Sequence, residues 1–368
     1  MTVKALLLTN HLVDYSGSEI QILEIYNFLK SKDIEVHVFA NIVGSPIINH
    51  FSRSDLFTSI DDISPQHYQL IWSQHALLSR LFKTLSNNFD LLIFSVHLSP
   101  FEMLEMSSLA YMSSIGAYFI ANSPETADKL CTFGVKRELI HISYNCASID
   151  FYALTIEQKP SLRKIAIISN HPPKELVKAA HLLKKNYHVK MIGGDNPHLV
   201  TPDLLKSFDC IISIGKTVQY SLLANKAVYC YDHFGGPGYL QDENYDTAQY
   251  NNFSGRGFHR KTAAEIVEEI VSNYDIGVNF VKKLNNKDIY RLDLFINRLL
   301  ELPPRVLGVK EQQLIRMSYP IEEKIARFYQ DNYRLKKVIL KNNKSYQKRI
   351  YVIVFLNTLL IILFIWIQ

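Results

Sequence analysis

Residues 215–217 read Gly-Lys-Thr, between an apolar run at 210–214 and an amphipathic one. The triplet raises nucleoside triphosphate hydrolysis, and its context argues against it. A phosphate loop of the form G-x-x-x-x-G-K-[ST] needs its first glycine so that backbone N–H groups can wrap the phosphates. Cys210 stands in that place, inside a strand-like run. What remains at Gly215, Lys216 and Thr217 is a simpler anion site, in which free N–H groups at a helix start meet a hydroxyl and an ammonium. A diphosphate leaving group suits it.

Other junctions gather polar or small residues. Gly17 and Ser18 open the helix that follows the first apolar run, a turn able to hold an anion. His75 and His97 close two strands, where a histidine faces a ligand crevice and can donate to a sugar hydroxyl or carbonyl. SNHPPKE, residues 169–175, places His171 and Lys174 at the first junction of the second half. Asp232 and His233 leave a later strand and run into Gly235, Gly236, Pro237 and Gly238, a turn in which backbone can approach a ligand and side chains can bond sugar hydroxyls. Arg256, in NFSGRGF, sits on a second flexible loop over the same place. Taken singly, each has an ordinary alternative: a helix cap, a strand-capping histidine, a solvated lysine.

The elements that must position these residues repeat one pattern. Short apolar strands (residues 3–10, 34–43, 68–75, 90–97 and 116–123) alternate with helical stretches, and the pattern restarts after 151–163 with strands near 164–170, 187–194, 208–214 and 227–232. Such alternation predicts crossover units and parallel sheets. The fold class is α/β: two doubly wound, Rossmann-like domains over residues 1–155 and 156–310, with ligands expected beyond the carboxyl ends of the strands.

The C-terminal part differs. Seven lysines and arginines and no acid fall within residues 332–349, so that the rest of a chain of net charge +5 sums to −2. The basic balance therefore says nothing of nucleic-acid binding by the globular part, and no nucleic-acid partner is expected. Ile321, Ile325, Phe328, Asn332, Leu335 and Ile339 form a heptad seam, which predicts either a parallel coiled-coil homodimer through residues 318–349 or a helix packed on its own domain. Residues 350–367 carry no charge, and 18 residues at helical rise span roughly 27 Å, about the hydrocarbon thickness of a bilayer. A single transmembrane anchor is predicted there, with the basic cluster and the body of the protein on the cytosolic side of the membrane. The four cysteines are scattered and form no C-x-x-C pair, and there is no D-x-D. Neither a metal nor another cofactor is expected.

The order of these features resembles the family-four glycosyltransferases of the GT-B fold over roughly residues 3–275. SGSEIQILEIYNFLKSKDIEVHVFA looks like that family's opening GG-x-E motif and following strand, and ANSPETADKLCTFGVKRELIHISYN looks like its NS-x-x-T-x-x-L segment. The resemblance implies a metal-independent hexosyl transfer. The nucleotide-sugar donor would be held mainly by the second domain and the acceptor by the first, with His97 at the position of an active-site histidine and Gly17 in the diphosphate-contacting loop. Ser213 and Tyr220 stand where the family carries two glutamates, and Gln219 and Tyr220 are the residues left for nucleotide contact. The expected function is a membrane-anchored glycosyltransferase acting on a lipid-linked or glycan acceptor in surface polysaccharide or glycolipid synthesis. The competing expectation is a non-catalytic GT-B subunit that docks an active transferase through the residue 318–349 helix.

Overall fold

The computed structural model describes residues 3–153, 161–194 and 196–342. In the first half, β1 (Lys4–Leu12), β2 (Glu35–Val43), β3 (Leu56–Phe57), β4 (Leu70–Gln74), β5 (Phe89–His97), β6 (Tyr118–Ala121) and β7 (Ile140–Ile142) form a sheet of order β3-β2-β1-β4-β5-β6-β7. Every pairing along that path is parallel. In the second half, β8 (Lys164–Ile168), β9 (His188–Ile192), β10 (Cys210–Ser213), β11 (Ala227–Asp232) and β12 (Gly235–Tyr239) take the order β12-β11-β10-β8-β9, with only β12 antiparallel.

The inner strands β4, β6, β10 and β11 are buried along their whole length because both faces of each sheet are covered. Leu7, Trp72 and Phe94 are successive partners across β1, β4 and β5 and point into the core on one face. Leu6, Leu8, Ile71 and Ile93 fill the core on the other. The first of these cores is continuous with one face of the second sheet, through Ala166, Ile211 and Val228. Helix caps follow local chemistry. Ser123 accepts from the Thr126 N–H ahead of a helix that starts with Pro124, and Thr262 caps Ala263–Ser272 in a box with Glu265.

Two expectations are corrected. The glycine-rich segment 235–238 is strand, not turn. A Cβ at Gly236 would stand 2.1 Å from the Cys230 carbonyl oxygen, and one at Gly255 would stand 2.2 Å from that of Gly235. These glycines answer to close backbone packing within the protein. The second correction concerns the boundary at residue 310: β13 (Arg305–Leu307) pairs antiparallel with the start of β5, and Gln312 bonds Ser86 and Leu307. The chain has by then returned to the first domain.

Of the two courses expected for the last helix, Tyr319–Asn342 takes the second: it packs on the first domain, by Glu322, Ala326, Tyr329 and Tyr333, one position round from the heptad seam. Buried Glu322 accepts the Ser79 N–H at 3.2 Å, the Ser79 hydroxyl and the Tyr111 hydroxyl at 2.7 Å. Glu323 meets Arg80 at 2.7 Å, and the Tyr329 hydroxyl donates to Glu102 at 2.8 Å. A buried carboxyl with three donors fixes the rotation of the helix, and Ile321 and Leu335 are left more than half exposed. Among the described residues no helix is long and apolar enough to cross a membrane. The predicted anchor at residues 350–367 lies outside the described residues.

Candidate active site

The carboxyl ends of the two sheets face each other across a cleft of about 470 Å³. The first domain contributes Tyr15 to Ser18, Ile20, Leu98 and Asn145 to its lining. The second contributes the strand ends at Ile168 to His171, Gly193, Ser213 to Thr217, and Asp232 and His233, with the Pro197 to Val200 segment and Asn252. A front lobe of about 190 Å³ shares Leu98, Gly215, Asp232, His233 and Asn252 and adds Ser99, Asn122, Phe234 and Arg256.

Two helices present their N-termini to this space, Gly17–Lys30 and Lys216–Leu223. Each start carries unsatisfied N–H groups and the positive end of a helix dipole, so an anion between them is stabilised from both sides. The turn before Gly17 is held by Glu19, whose buried carboxylate accepts the N–H groups of Val13 at 2.6 Å, Asp14 at 3.1 Å and Ser16 at 3.3 Å. Gly215 sits at φ 55°, a left-handed conformation that lets the chain turn from β10 into the helix within two residues.

Of the residues expected from sequence, Gly17, Ser18, His171, Gly215, Lys216, Thr217, Tyr220, Asp232 and His233 line the cleft. Lys174 is exposed and outside the lining, and Gln219 is buried with its amide N–H directed at Asn252. Gly235 and Gly236 lie in β12, away from the lining, for the packing reason given above. His97 is fully buried in the first domain. Its ring lies near-parallel to Phe119 with centroids 5.8 Å apart, and Nε2 is 2.9 Å from the Ser95 hydroxyl. It does not line the cleft, because the side chain turns back into the sheet layer and Leu98 takes the exposed place.

The Lys216 ammonium is not directed at open space. Its Nζ is 2.5 Å from Glu24 of the facing helix, and it donates to the carbonyls of Cys146 at 2.7 Å and Asn145 at 3.4 Å. Tyr220 donates to the same carboxylate at 2.6 Å and stacks on Phe151, with ring centroids 4.1 Å apart. The residue expected to meet a diphosphate is therefore a tether between domains. On the opposite side of the cleft Arg256 grips Glu125 through two nitrogens, and Tyr250 donates to Asp128 at 2.9 Å. Sequence reasoning missed Glu24, Asn145 and Asn252, the last two joined across the domains at 2.8 Å.

Glu105 holds the front lobe's first-domain rim by accepting the N–H groups of Leu98 at 2.6 Å and Ser99 at 3.0 Å. Burial pushes its carboxyl up to about 8 despite those two bonds, which favour the ionised form. The folded state thus holds a proton that the unfolded chain releases near pH 4.5. Its contribution to stability is full below pH 4.5 and is lost as pH rises through about 8. Glu105→Gln, which keeps an oxygen acceptor and cannot ionise, is expected to flatten the fall in melting temperature between pH 6 and 9. A slope unchanged from the parent protein would refute that assignment.

No family model and no curated protein matches the chain. Among solved structures it is similar to the apo form of the lipopolysaccharide outer core galactosyltransferase WaaB, at 11% identity and a TM-score of 0.48, with 81% of this chain and 99% of that one covered. It is also similar to Anabaena Alr3699/HepE in complex with UDP and glucose (14%, TM-score 0.43, 81% and 98% covered) and to a putative UDP-N-acetylglucosamine 2-epimerase from Listeria monocytogenes (10%, TM-score 0.49, 82% and 95% covered). The α/β assignment itself rests on the strand order and pairing of the two sheets. Among the described residues no group of three or more His, Cys, Asp or Glu is gathered as a metal site would require.

Proposed function

We propose that this protein is a glycosyltransferase that moves a hexosyl group from a nucleotide-sugar donor, bound in the interdomain cleft, to a lipid-linked acceptor at the cytosolic face of a membrane. The observation that carries the reading is the convergence of two helix N-termini on one cleft between the carboxyl ends of two parallel sheets. A diphosphate seated there is met by N–H groups of the Gly17 and Gly215 turns and by the Thr217 hydroxyl. Preorganised dipoles of this kind act most strongly on the charge that develops as the sugar leaves. Ile168, Pro197, Leu199 and Val200 supply an apolar wall for the nucleoside, with Ser169, Asn170, His171 and His198 beside it for polar contacts. Asp232, His233 and Asn252 face the sugar, and the front lobe with Ser99, Asn122 and Arg256 receives the acceptor.

In this reading no metal takes part, and the uncharged segment at 350–367 anchors the chain beside its substrate. An anchor confines the encounter to two dimensions and raises the effective concentration of a lipid-linked acceptor. The test is a thermal-shift titration of the full chain with UDP, GDP, CMP and dTDP. One of them is expected to stabilise the protein by about 2.7 kcal/mol at a hundredfold excess over its Kd. Gly17→Val, which crowds the turn facing the diphosphate, is expected to abolish that shift without lowering the unliganded melting temperature by more than a few degrees. Stabilisation by none of the four would overturn the donor site.

A further inference from the structure

We propose that the loop after β5, with Phe101 and Met103 at its crest, is a membrane contact that rests in the headgroup region of an anionic bilayer and holds the front lobe of the cleft at the lipid surface. The inference rests on the anchor reading above and adds to it which face of the protein meets the membrane. Phe101 is 67% exposed and Met103 39%, while Phe234 on the other lip of the same lobe is 46% exposed. The Arg256 guanidinium lies between the two rings, 5.8 Å from that of Phe101 and 6.0 Å from that of Phe234. Two exposed rings beside the Arg256–Glu125 pair, with the exposed Met103 thioether in the same loop, suit a surface at the mouth of a pocket that is apolar on one side and wet on the other.

The course of the chain selects the occupant. The strands of the first sheet run parallel, so β1, β4 and β5 end on one side of the domain, and the Tyr319–Asn342 helix crosses that side. Glu322 grips Ser79 beyond β4, Tyr329 bonds Glu102 beyond β5, and the Tyr333 ring lies 5.9 Å from that of His11 near the end of β1. The Tyr329 bond sets the helix directly beside the Phe101–Met103 loop. Beyond that point the helix carries Arg334, Lys336 and Lys337, all exposed, and the sequence continues through Lys344, Lys348 and Arg349 into the uncharged residues 350–367. A basic stretch that precedes an apolar one is drawn to anionic lipid at the cytoplasmic surface. The clamped helix then brings the loop to that surface with it.

The test uses the full chain with Trp366→Phe, in vesicles of phosphatidylcholine and phosphatidylglycerol with or without bromine on the acyl chains. Trp72, buried in the first sheet, supplies a constant background. Phe101→Trp and Met103→Trp are each expected to shift to shorter emission wavelength on vesicle binding and to lose emission to the brominated lipid. Leu182→Trp, exposed on the second domain, is expected to do neither. Co-flotation is measured on the same samples. Flotation with residues 101 and 103 quenched no more than residue 182 would overturn the loop contact and leave the anchor standing. Failure to float would overturn both, while the nucleotide titration judges the donor site independently of either result.

Discussion

Lys216→Met is expected to destabilise the protein by about 3–5 kcal/mol, the cost of breaking a buried ion pair from one side. The side chains of Lys216 and Glu24 are only 8% and 11% exposed, and the pair spans the two domains. With the ammonium gone, Glu24 keeps a single donor, the Tyr220 hydroxyl, and the carbonyls of Asn145 and Cys146 lose theirs. Replacing both partners by apolar residues, Lys216→Met with Glu24→Leu, removes the stranded charge and is expected to recover most of the loss. Urea unfolding of the two variants gives both numbers.

The same pair of variants decides what Lys216 does for the donor. If its positive charge were the principal partner of a diphosphate, the stable double variant would lose the nucleotide-induced rise in melting temperature. The structure commits all the close contacts of the ammonium to Glu24 and two backbone carbonyls. The double variant is therefore expected to keep most of the rise, because the N–H groups of the Gly17 and Gly215 turns are untouched. A double variant that folds but no longer responds to any nucleotide would return Lys216 to the diphosphate.

Much of the fold was legible because its signals are local. Strands buried on both faces read as unbroken apolar runs, and Ser123-Pro124 announces a helix start from hydroxyl and ring chemistry alone. Parallel topology then places strand ends such as Ser169, Ser213 and Asp232 at one edge without further information. What failed depended on partners distant in sequence. Gly235 to Gly238 looked like a turn because glycine permits one, whereas their task is to let β12 lie against β11. The orientation of the last helix was hidden in Glu322, whose donors, Ser79 and Tyr111, lie more than two hundred residues away. Glu24 gave no signal as an exposed-looking acid on an amphipathic helix, since Lys216 and Tyr220 reach it only after the domains meet.

Acid is expected to unfold this protein early, and His97 is the residue through which to show it. His11, His75 and His97 stand at or near the ends of three adjacent strands, β1, β4 and β5. Burial holds His75 and His97 down to about 3, and burial together with nearby Lys336 holds His11 down to about 4. Each is neutral in the folded state at pH 5, whereas the unfolded chain takes up the proton near 6.5. The stability these groups contribute is thus present above pH 6.5 and is lost as pH falls toward 3 to 4. Each costs about 1.4 kcal/mol per pH unit once the pH is well below 6.5. The N–H of Asn10 donates to the neutral ring of His75 at 3.0 Å, a bond that protonation of Nδ1 abolishes. His97→Phe keeps the ring beside Phe119 and cannot take up a proton, so it is expected to reduce the loss by about 1.4 kcal/mol per pH unit below 6.5 while costing about 1 kcal/mol at pH 7 through the Ser95 hydroxyl. Unfolding free energies of parent and variant across that pH range measure it. Should His97→Phe leave the acid slope intact, the imidazole is not held neutral within the first domain, and its expected place beside a donor sugar becomes the better account.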